Sequence, residues 1–113
     1  MLPWLYAFAF TQAVEVPLYT RSLDDKIPLV GRLVRAFSLS LVTHPFVWFV
    51  FPRMDLPSWT AQLIVSEAFA VLVEAAMLTA FGIGKKRALW LALSANALSL
   101  GLGLTSRALF GVP

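Results

Sequence analysis

The sequence predicts an all-α integral membrane protein, a four-helix bundle in a single transmembrane domain of residues 1–113. Hydrophobic residues make up 59% of the chain and charged residues only 13%, whereas about a quarter of a soluble domain is charged. The apolar runs are long enough to cross a bilayer, which takes about 20 helical residues. They are also continuous, whereas the strands of a transmembrane barrel alternate. Helical spans are therefore expected at about residues 2–19, 32–51, 57–82 and 88–110.

Composition also limits the chemistry and the partners. The chain has no cysteine, which excludes disulfide bonds, thiolate metal sites and thiol chemistry. Its net charge is +3, but the basic residues flank apolar runs, a pattern typical of topology signals and headgroup contacts. We therefore expect the lipid bilayer, and no nucleic acid, as a partner.

The first span, residues 2–19, has aromatic residues near both ends, as suits the two membrane interfaces. It lacks the basic start and the small-residue cleavage site of a signal peptide, so we expect a mature helix. Gln12 and Glu15 interrupt its apolar surface, and Pro17 frees a nearby backbone carbonyl. This combination indicates a locally polar spot. Alternatively, Glu15 is an interfacial carboxylate, because it lies only about a turn from the end.

A polar loop is predicted for residues 20–31, followed by the second span. Thr43, His44 and Pro45 lie midway along that span, and Pro45 removes a backbone donor, which predicts a kink. His44 is the only histidine, and the charge of a histidine changes near neutral pH. It is a candidate site residue together with Thr43. The alternative for His44 is a hydrogen-bonded core residue.

The third span carries two carboxylates, Glu67 and Glu74. They are seven residues apart, so they fall about two turns apart on nearly the same side of a helix. A carboxylate deep in the membrane costs at least a few kcal/mol on insertion scales and normally faces protein or water. The pair therefore indicates a functional site. In the alternative interpretation both are protonated and only hydrogen-bond neighbouring helices. Ser58 is the predicted N-cap, and Gly82 the predicted end.

The fourth span is rich in small residues. Ala95, Ser99 and Gly103 recur every four residues and form a face that permits close helix packing. The partner helix belongs either to the same chain or to a second copy, so a homo-oligomer through this face is one of two options. Asn96 lies beside the face and is costly in lipid unless it is paired.

The charge distribution predicts the topology. Two loops and their adjoining helix ends hold seven basic residues, namely Arg21, Lys26, Arg32, Arg35, Lys85, Lys86 and Arg87. The opposite side has two, Arg53 and Arg107. By the positive-inside rule both basic loops are cytoplasmic. We therefore expect a multi-pass, up-down protein of the inner (plasma) membrane with both termini outside, and no dual topology.

Polar side chains from all four spans fall at similar depths when residues are counted inward at about 1.5 Å each. The predicted lower tier consists of Gln12, Glu15, Glu74 and Asn96, and the upper tier of Thr43, His44 and Glu67. This pattern favours a converging interior site that binds a proton or a cation. The pattern identifies no cofactor, although a bound cation would fit it.

Carboxylates linked by a histidine suit a proton relay, and the lower-tier oxygens suit a hard cation. The predicted function is therefore proton- or cation-coupled transport of a small solute or ion. One alternative is a non-catalytic accessory or scaffold protein. Another is a metal-dependent intramembrane enzyme with His44, Glu67 and Glu74 as ligands, although the Glu-x-x-His pair of carboxylate di-metal bundles is missing. No nucleophilic grouping is convincing, so no catalytic residue is assigned and a non-enzymatic role is favoured.

Four predicted helices in this length, with the stretch Ala13-Val14-Glu15-Val16 near the end of the first, resemble the small multidrug resistance transporters. The resemblance implies that Glu15 is the carboxylate that binds protons and cations. The chain departs from that family in Glu67, Glu74, His44 and the strong charge bias. The family's Gly/Trp/Tyr-rich motif in the third helix is also absent.

Overall fold

The computed structural model describes residues 2–111, and every regular element in that range is a helix. Residues 1, 112 and 113 of the predicted domain lie outside it. The helices are α1 (Leu2–Ser22), α2 (Leu29–Pro45), α3 (Trp59–Ala80) and α4 (Lys85–Phe110). The predicted all-helical fold with four helices is confirmed.

Three stretches of the described chain are long and apolar enough to cross a membrane. They are Leu29–Arg53, Trp59–Ala80 and Lys85–Phe110, with mean hydropathies of 1.4, 1.9 and 1.5. This finding supports the predicted membrane protein. Helix α1 is not among the three, and it carries Gln12, Glu15 and Arg21 within its 21 residues. The first span therefore stays a prediction.

The loop predicted for residues 20–31 is too long at both ends. Helix α1 continues through Ser22, because Tyr19 and Leu23 are buried and the Leu23 N–H donates to the Tyr19 carbonyl at 3.1 Å. Helix α2 begins directly after Pro28, which has the extended backbone of an N-cap residue. The polar residues of this stretch interrupt the apolar pattern, which predicts a loop. Helical hydrogen bonding nevertheless continues into the polar residues at both ends of it.

The ends of α3 follow the predicted signals. The Ser58 hydroxyl accepts a hydrogen bond of 3.0 Å from the Ala61 N–H, as an N-cap does. Gly82 has a φ of 103°, in the left-handed region where a side chain is strained. The Ile83 N–H then donates to the Leu78 carbonyl at 3.1 Å, and both side chains are buried. This is the hydrogen bond and apolar contact of a Schellman motif.

The helix geometry changes at Pro45, where a kink was predicted. Regular α-helix ends there, and the chain continues as a π-helical turn, Phe46–Val50, and a 3₁₀ turn, Phe51–Arg53. The Phe51 N–H donates to the carbonyl of Phe46, five residues earlier. Because proline lacks the N–H that a regular helix needs, the hydrogen-bond register shifts immediately after it. Such wide turns are frequent at functional sites.

The four helices pack in a ring, so that α1 and α3 each contact both α2 and α4. The bundle is 43 Å long, close to the 40–45 Å of a bilayer with its headgroups. An apolar core that includes Tyr19, Leu39 and Leu78, all 0% exposed, fills one end.

The small-residue face of α4 packs within the chain. Ala95 is fully buried in the core. Ser99 is hydrogen-bonded to α1, and a Cβ atom on Gly103 would lie 3.8 Å from the ring of Phe10, also on α1. Within the chain this face therefore contacts α1, as in the first of the two options, and association with a second copy stays a prediction.

Candidate functional site

Two carboxylates, Glu15 of α1 and Glu74 of α3, lie inside the bundle with exposed fractions of 0% and 1%. Neither forms an ion pair with a Lys or Arg of residues 2–111. All of their hydrogen-bond partners are uncharged side chains from neighbouring helices. Buried carboxylates without a cationic partner are unusual, because a bare charge is costly to bury.

Glu74 accepts hydrogen bonds from three different helices. The Tyr19 hydroxyl of α1 donates to Oε1 at 2.6 Å, and the Asn96 amide of α4 donates to the same oxygen at 3.0 Å. The Thr43 hydroxyl of α2 donates to Oε2 at 2.9 Å. Since Glu74 itself belongs to α3, this one carboxyl group joins all four helices.

Glu15 is held in a similar way by two serine hydroxyls. Ser40 of α2 donates to Oε1 at 2.7 Å, and Ser99 of α4 donates to Oε2 at 2.6 Å. Asn96 and Ser99 are three residues apart on α4, so they share a helix face. This face of α4 therefore donates to both carboxyl groups, through Asn96 to Glu74 and through Ser99 to Glu15.

Two of the four hydroxyl donors, one on each carboxyl group, have a second acceptor within reach. Ser99 Oγ lies 3.2 Å from the Asn96 carbonyl, and Thr43 Oγ1 lies 3.3 Å from the Leu39 carbonyl. A hydroxyl has one proton and two lone pairs. If a carboxyl group takes up a proton, its O–H donates a hydrogen bond to the hydroxyl oxygen. The hydroxyl then turns its own proton toward the helix carbonyl. Both the ionised and the protonated carboxyl group are therefore satisfied by the same side chains.

A cavity of about 340 Å³ extends from the two carboxyl groups toward the end of the bundle where α3 begins and α4 ends. The lining includes Glu15, Glu74, Asn96 and Ser99 at the inner end, then His44 and Glu67, and then Trp48, Trp59, Gln62 and Arg107. The apolar core around Tyr19, Leu39 and Leu78 lies beyond the carboxyl groups at the other end. We call the two carboxyl groups and their side-chain donors the polar cluster; its members are Glu15, Glu74, Tyr19, Ser40, Thr43, Asn96 and Ser99. This cluster forms the floor of a cavity that is closed on one side.

His44 and Glu67 line the cavity but are not hydrogen-bonded to the cluster. The His44 ring packs against Phe8, at a centroid distance of 5.4 Å, and its buried Nδ1 has no hydrogen-bond partner in the described part of the chain. Glu67 is half-buried and accepts no hydrogen bond from any described residue. The three residues of the predicted upper tier therefore do not form one group. Thr43 is hydrogen-bonded to Glu74, whereas His44 and Glu67 line the cavity.

Gln12, the remaining lower-tier residue, is buried but is not hydrogen-bonded to either carboxyl group. Its amide donates to the Phe37 carbonyl at 3.0 Å and so links α1 to the backbone of α2. The predicted lower tier thus contributes Glu15, Glu74 and Asn96 to the hydrogen-bonded cluster and Gln12 to helix packing beside it.

The geometry gives no support to the metal site considered for His44, Glu67 and Glu74. Within residues 2–111, no group of three or more His, Asp or Glu side chains lies close enough together to hold a metal ion.

Three cluster residues were not singled out from the sequence as site residues. From the sequence, Tyr19 is one of the interfacial aromatic residues of the first span and Ser99 is a packing residue. Ser40 has no predicted role. A signal for each was present in the helical spacing, because Tyr19 is four residues from Glu15, Ser99 three from Asn96, and Ser40 three from Thr43. A polar residue one turn from a predicted site residue shares its helix face and is a candidate member of the same site.

Comparisons with protein-family models, with curated proteins and with solved structures find no match to this chain.

Proposed function

We propose that this chain is a multi-pass protein of the inner membrane whose Glu15–Glu74 cluster takes up and releases protons, coupled to the transport of a small solute or ion. The observation that carries the proposal is a pair of buried carboxyl groups without a cationic partner, at the floor of a one-sided cavity. Two ionised carboxylates repel each other in an apolar bundle. Binding of a proton or a cation from the cavity removes that repulsion.

Contacts between helices support an up-down arrangement. Along α1 and α4 the partners run in opposite order, since Phe10 lies beside Gly103 and Arg87 donates to the Ser22 carbonyl at 3.3 Å. Along α2 and α3, Thr43 pairs with Glu74, while the Arg35 guanidinium lies 5.8 Å from the centre of the Phe81 ring. With the basic loops in the cytoplasm, the cavity faces the outside and the apolar core closes the cytoplasmic side.

A cavity open to one side and closed on the other is the form that alternating access requires of a transporter in one of its states. The hydroxyl partners of Glu15 and Glu74 add what proton coupling requires, a site that is satisfied with and without the proton. In this proposal, opening of the core around Tyr19, Leu39 and Leu78 would expose the same carboxyl groups to the cytoplasm.

The second candidate is a scaffold protein, and one observation favours it. The Glu74 carboxyl group bonds to three other helices, so it also suits a fixed structural role. In a scaffold, a permanently protonated Glu and a Gln are near equivalents. A transport protein differs, because its carboxyl group has to change its charge.

Substitution of Glu74 by Gln and by Leu separates the two functions. If Glu74 carries a proton, Glu74→Gln keeps the fold and reduces the pH response of tryptophan fluorescence, for which Trp48 and Trp59 in the cavity lining are the expected reporters. In a scaffold, Glu74→Gln changes little and only Glu74→Leu lowers the thermal stability. Wild-type fluorescence that does not vary with pH, together with an unchanged Glu74→Gln variant, would exclude proton coupling. Asp55→Asn, in the exposed turn before α3, is the matched control.

A further inference from the structure

Two residues of opposite charge, Glu67 of α3 and Arg107 of α4, line the same cavity without pairing. In the part of the chain that the structure describes, Glu67 accepts no hydrogen bond and the Arg107 guanidinium makes neither a hydrogen bond nor an ion pair. By contrast, the oxygens of Glu15 and Glu74 already accept five hydrogen bonds from side chains. The cavity therefore presents one free carboxylate and one free guanidinium.

The register of α3 and α4 sets the offset of these two residues along the bundle. The hydrogen bond of 3.0 Å between Asn96 and Glu74 places those two residues at one level. Along antiparallel helices, Glu67 lies about 10 Å and Arg107 about 16 Å from that level, in the same direction, at 1.5 Å per residue. The two charged residues are thus offset by about 6 Å along the bundle. This figure is the offset of the two backbone positions, and no salt bridge joins the two side chains in the described part of the chain. A small molecule bound in the cavity is therefore in a position to contact both charged groups.

The remaining lining residues also suit a small cation joined to an anion. Trp48 and Trp59 present aromatic surfaces to the same cavity, and an ammonium group is attracted to such surfaces. Gly103, one turn from Arg107 on α4, also lines the cavity and has no side chain that would occupy it. The volume of about 340 Å³ is sufficient for a solute of several heavy atoms.

We propose that the cavity binds a small zwitterion, with its ammonium group on Glu67 and its carboxylate or phosphate on Arg107. This inference rests on the proposed function, in which the same cavity holds the transported solute. A guanidinium forms paired hydrogen bonds with a carboxylate or phosphate. Arg107 is exposed and Glu67 is half-buried, and a ligand with a single charge pairs with only one of the two groups. The cavity therefore selects a molecule that carries both charges. Free amino acids and the headgroup of phosphatidylethanolamine share this chemistry.

Binding is measured with the purified full-length protein in phosphatidylglycerol nanodiscs, by calorimetry and tryptophan fluorescence. The zwitterionic probes are β-alanine and phosphoethanolamine, and the singly charged probes are ethylamine and propionate. We expect at least one zwitterion to bind about tenfold or more tightly than either singly charged probe, since each lost charge-assisted pair is worth about that factor. In a second arm, phosphatidylethanolamine is added to the nanodiscs. Competition there identifies a lipid headgroup as the ligand, and its absence identifies a free zwitterion.

Two variants assign the binding groups. Arg107→Gln weakens zwitterion binding about tenfold or more and leaves ethylamine binding unchanged, whereas Glu67→Gln weakens both. Arg53→Gln and Asp55→Asn make the same charge changes at the same end of the bundle, outside the cavity lining, and leave binding unchanged. Arg107→Lys retains the charge and restores part of the affinity, which separates a binding role from loss of folding.

The proposal is overturned by equal binding of β-alanine, phosphoethanolamine and ethylamine, by no binding of either zwitterion, or by an Arg107→Gln variant that behaves like Arg53→Gln. Its failure is distinguishable from failure of the proposed function. A pH response that depends on Glu74 persists if only the zwitterion inference is wrong, and it is absent if proton coupling is wrong.

Discussion

The Tyr19 hydroxyl of α1 donates a hydrogen bond of 2.6 Å to the Glu74 carboxylate of α3. The ring of Tyr19 is 0% exposed and belongs to the apolar core with Leu39 and Leu78. Tyr19 thus lies at the boundary between the polar cluster and the closed end of the bundle. Any movement that opens this end has to move Tyr19 or break its bond to Glu74.

Tyr19→Phe removes this hydroxyl and keeps the ring in the core. We expect a loss of about 1 kcal/mol in the free energy of unfolding, as for a buried interhelical hydrogen bond. The pH response of tryptophan fluorescence should also change, because Glu74 loses one of its three donors. Tyr6→Phe is the control, since Tyr6 is 63% exposed on the same helix. Equal stability and an equal pH response in the two variants would show that the Tyr19 hydroxyl has no role.

The cavity itself is tested at Gly103. Gly103→Leu places a side chain into the cavity beside Phe10, where a Cβ atom would already be 3.8 Å from the Phe10 ring. We expect the variant to remain folded and to lose ligand binding. Gly101→Leu is the matched control, because a Cβ atom there meets nothing within 4 Å and the residue is exposed. Binding that survives in Gly103→Leu would exclude this cavity as the ligand site.

Topology is tested by cysteine labelling, for which the chain is convenient because it has no cysteine of its own. Asp25→Cys lies in the exposed loop between α1 and α2, and Ala108→Cys lies in the exposed last turn of α4. A membrane-impermeant reagent should label Ala108→Cys in intact cells and Asp25→Cys only after the membrane is opened. The reverse pattern would invert the orientation, and labelling of both in intact cells would contradict the up-down arrangement.

The fold class could be predicted because it depends on local signals. Helix number follows from the apolar runs, and Ser58, Gly82 and Pro45 each act on the backbone within a few residues of themselves. Helix α1 ends three residues beyond the predicted span, because tertiary burial of Tyr19 and Leu23 stabilises helix beyond the apolar pattern. Helix α2 begins three residues before the predicted span, directly after Pro28.

The candidate site could be predicted only in part. Glu15, Glu74, Thr43 and Asn96 were identifiable because polar groups in apolar spans need partners. Which partners they find depends on helix rotation and register, and depth counting gives neither. Depth therefore grouped Thr43 with His44 rather than with Glu74, and it did not identify Tyr19 as a donor to the cluster.

The most direct measurement of the central claim, that the Glu15–Glu74 cluster exchanges protons, is infrared spectroscopy of the carboxyl groups as a function of pH. A protonated carboxyl group has a C=O stretching band that an ionised carboxylate lacks. We predict that this band appears in the wild-type protein as the pH is lowered, and that it is reduced in Glu15→Gln and in Glu74→Gln. Asp55→Asn removes one exposed carboxyl group and should leave the part of the band that belongs to the cluster unchanged. A band that does not change with pH, or that is unchanged in both cluster variants, would contradict the account.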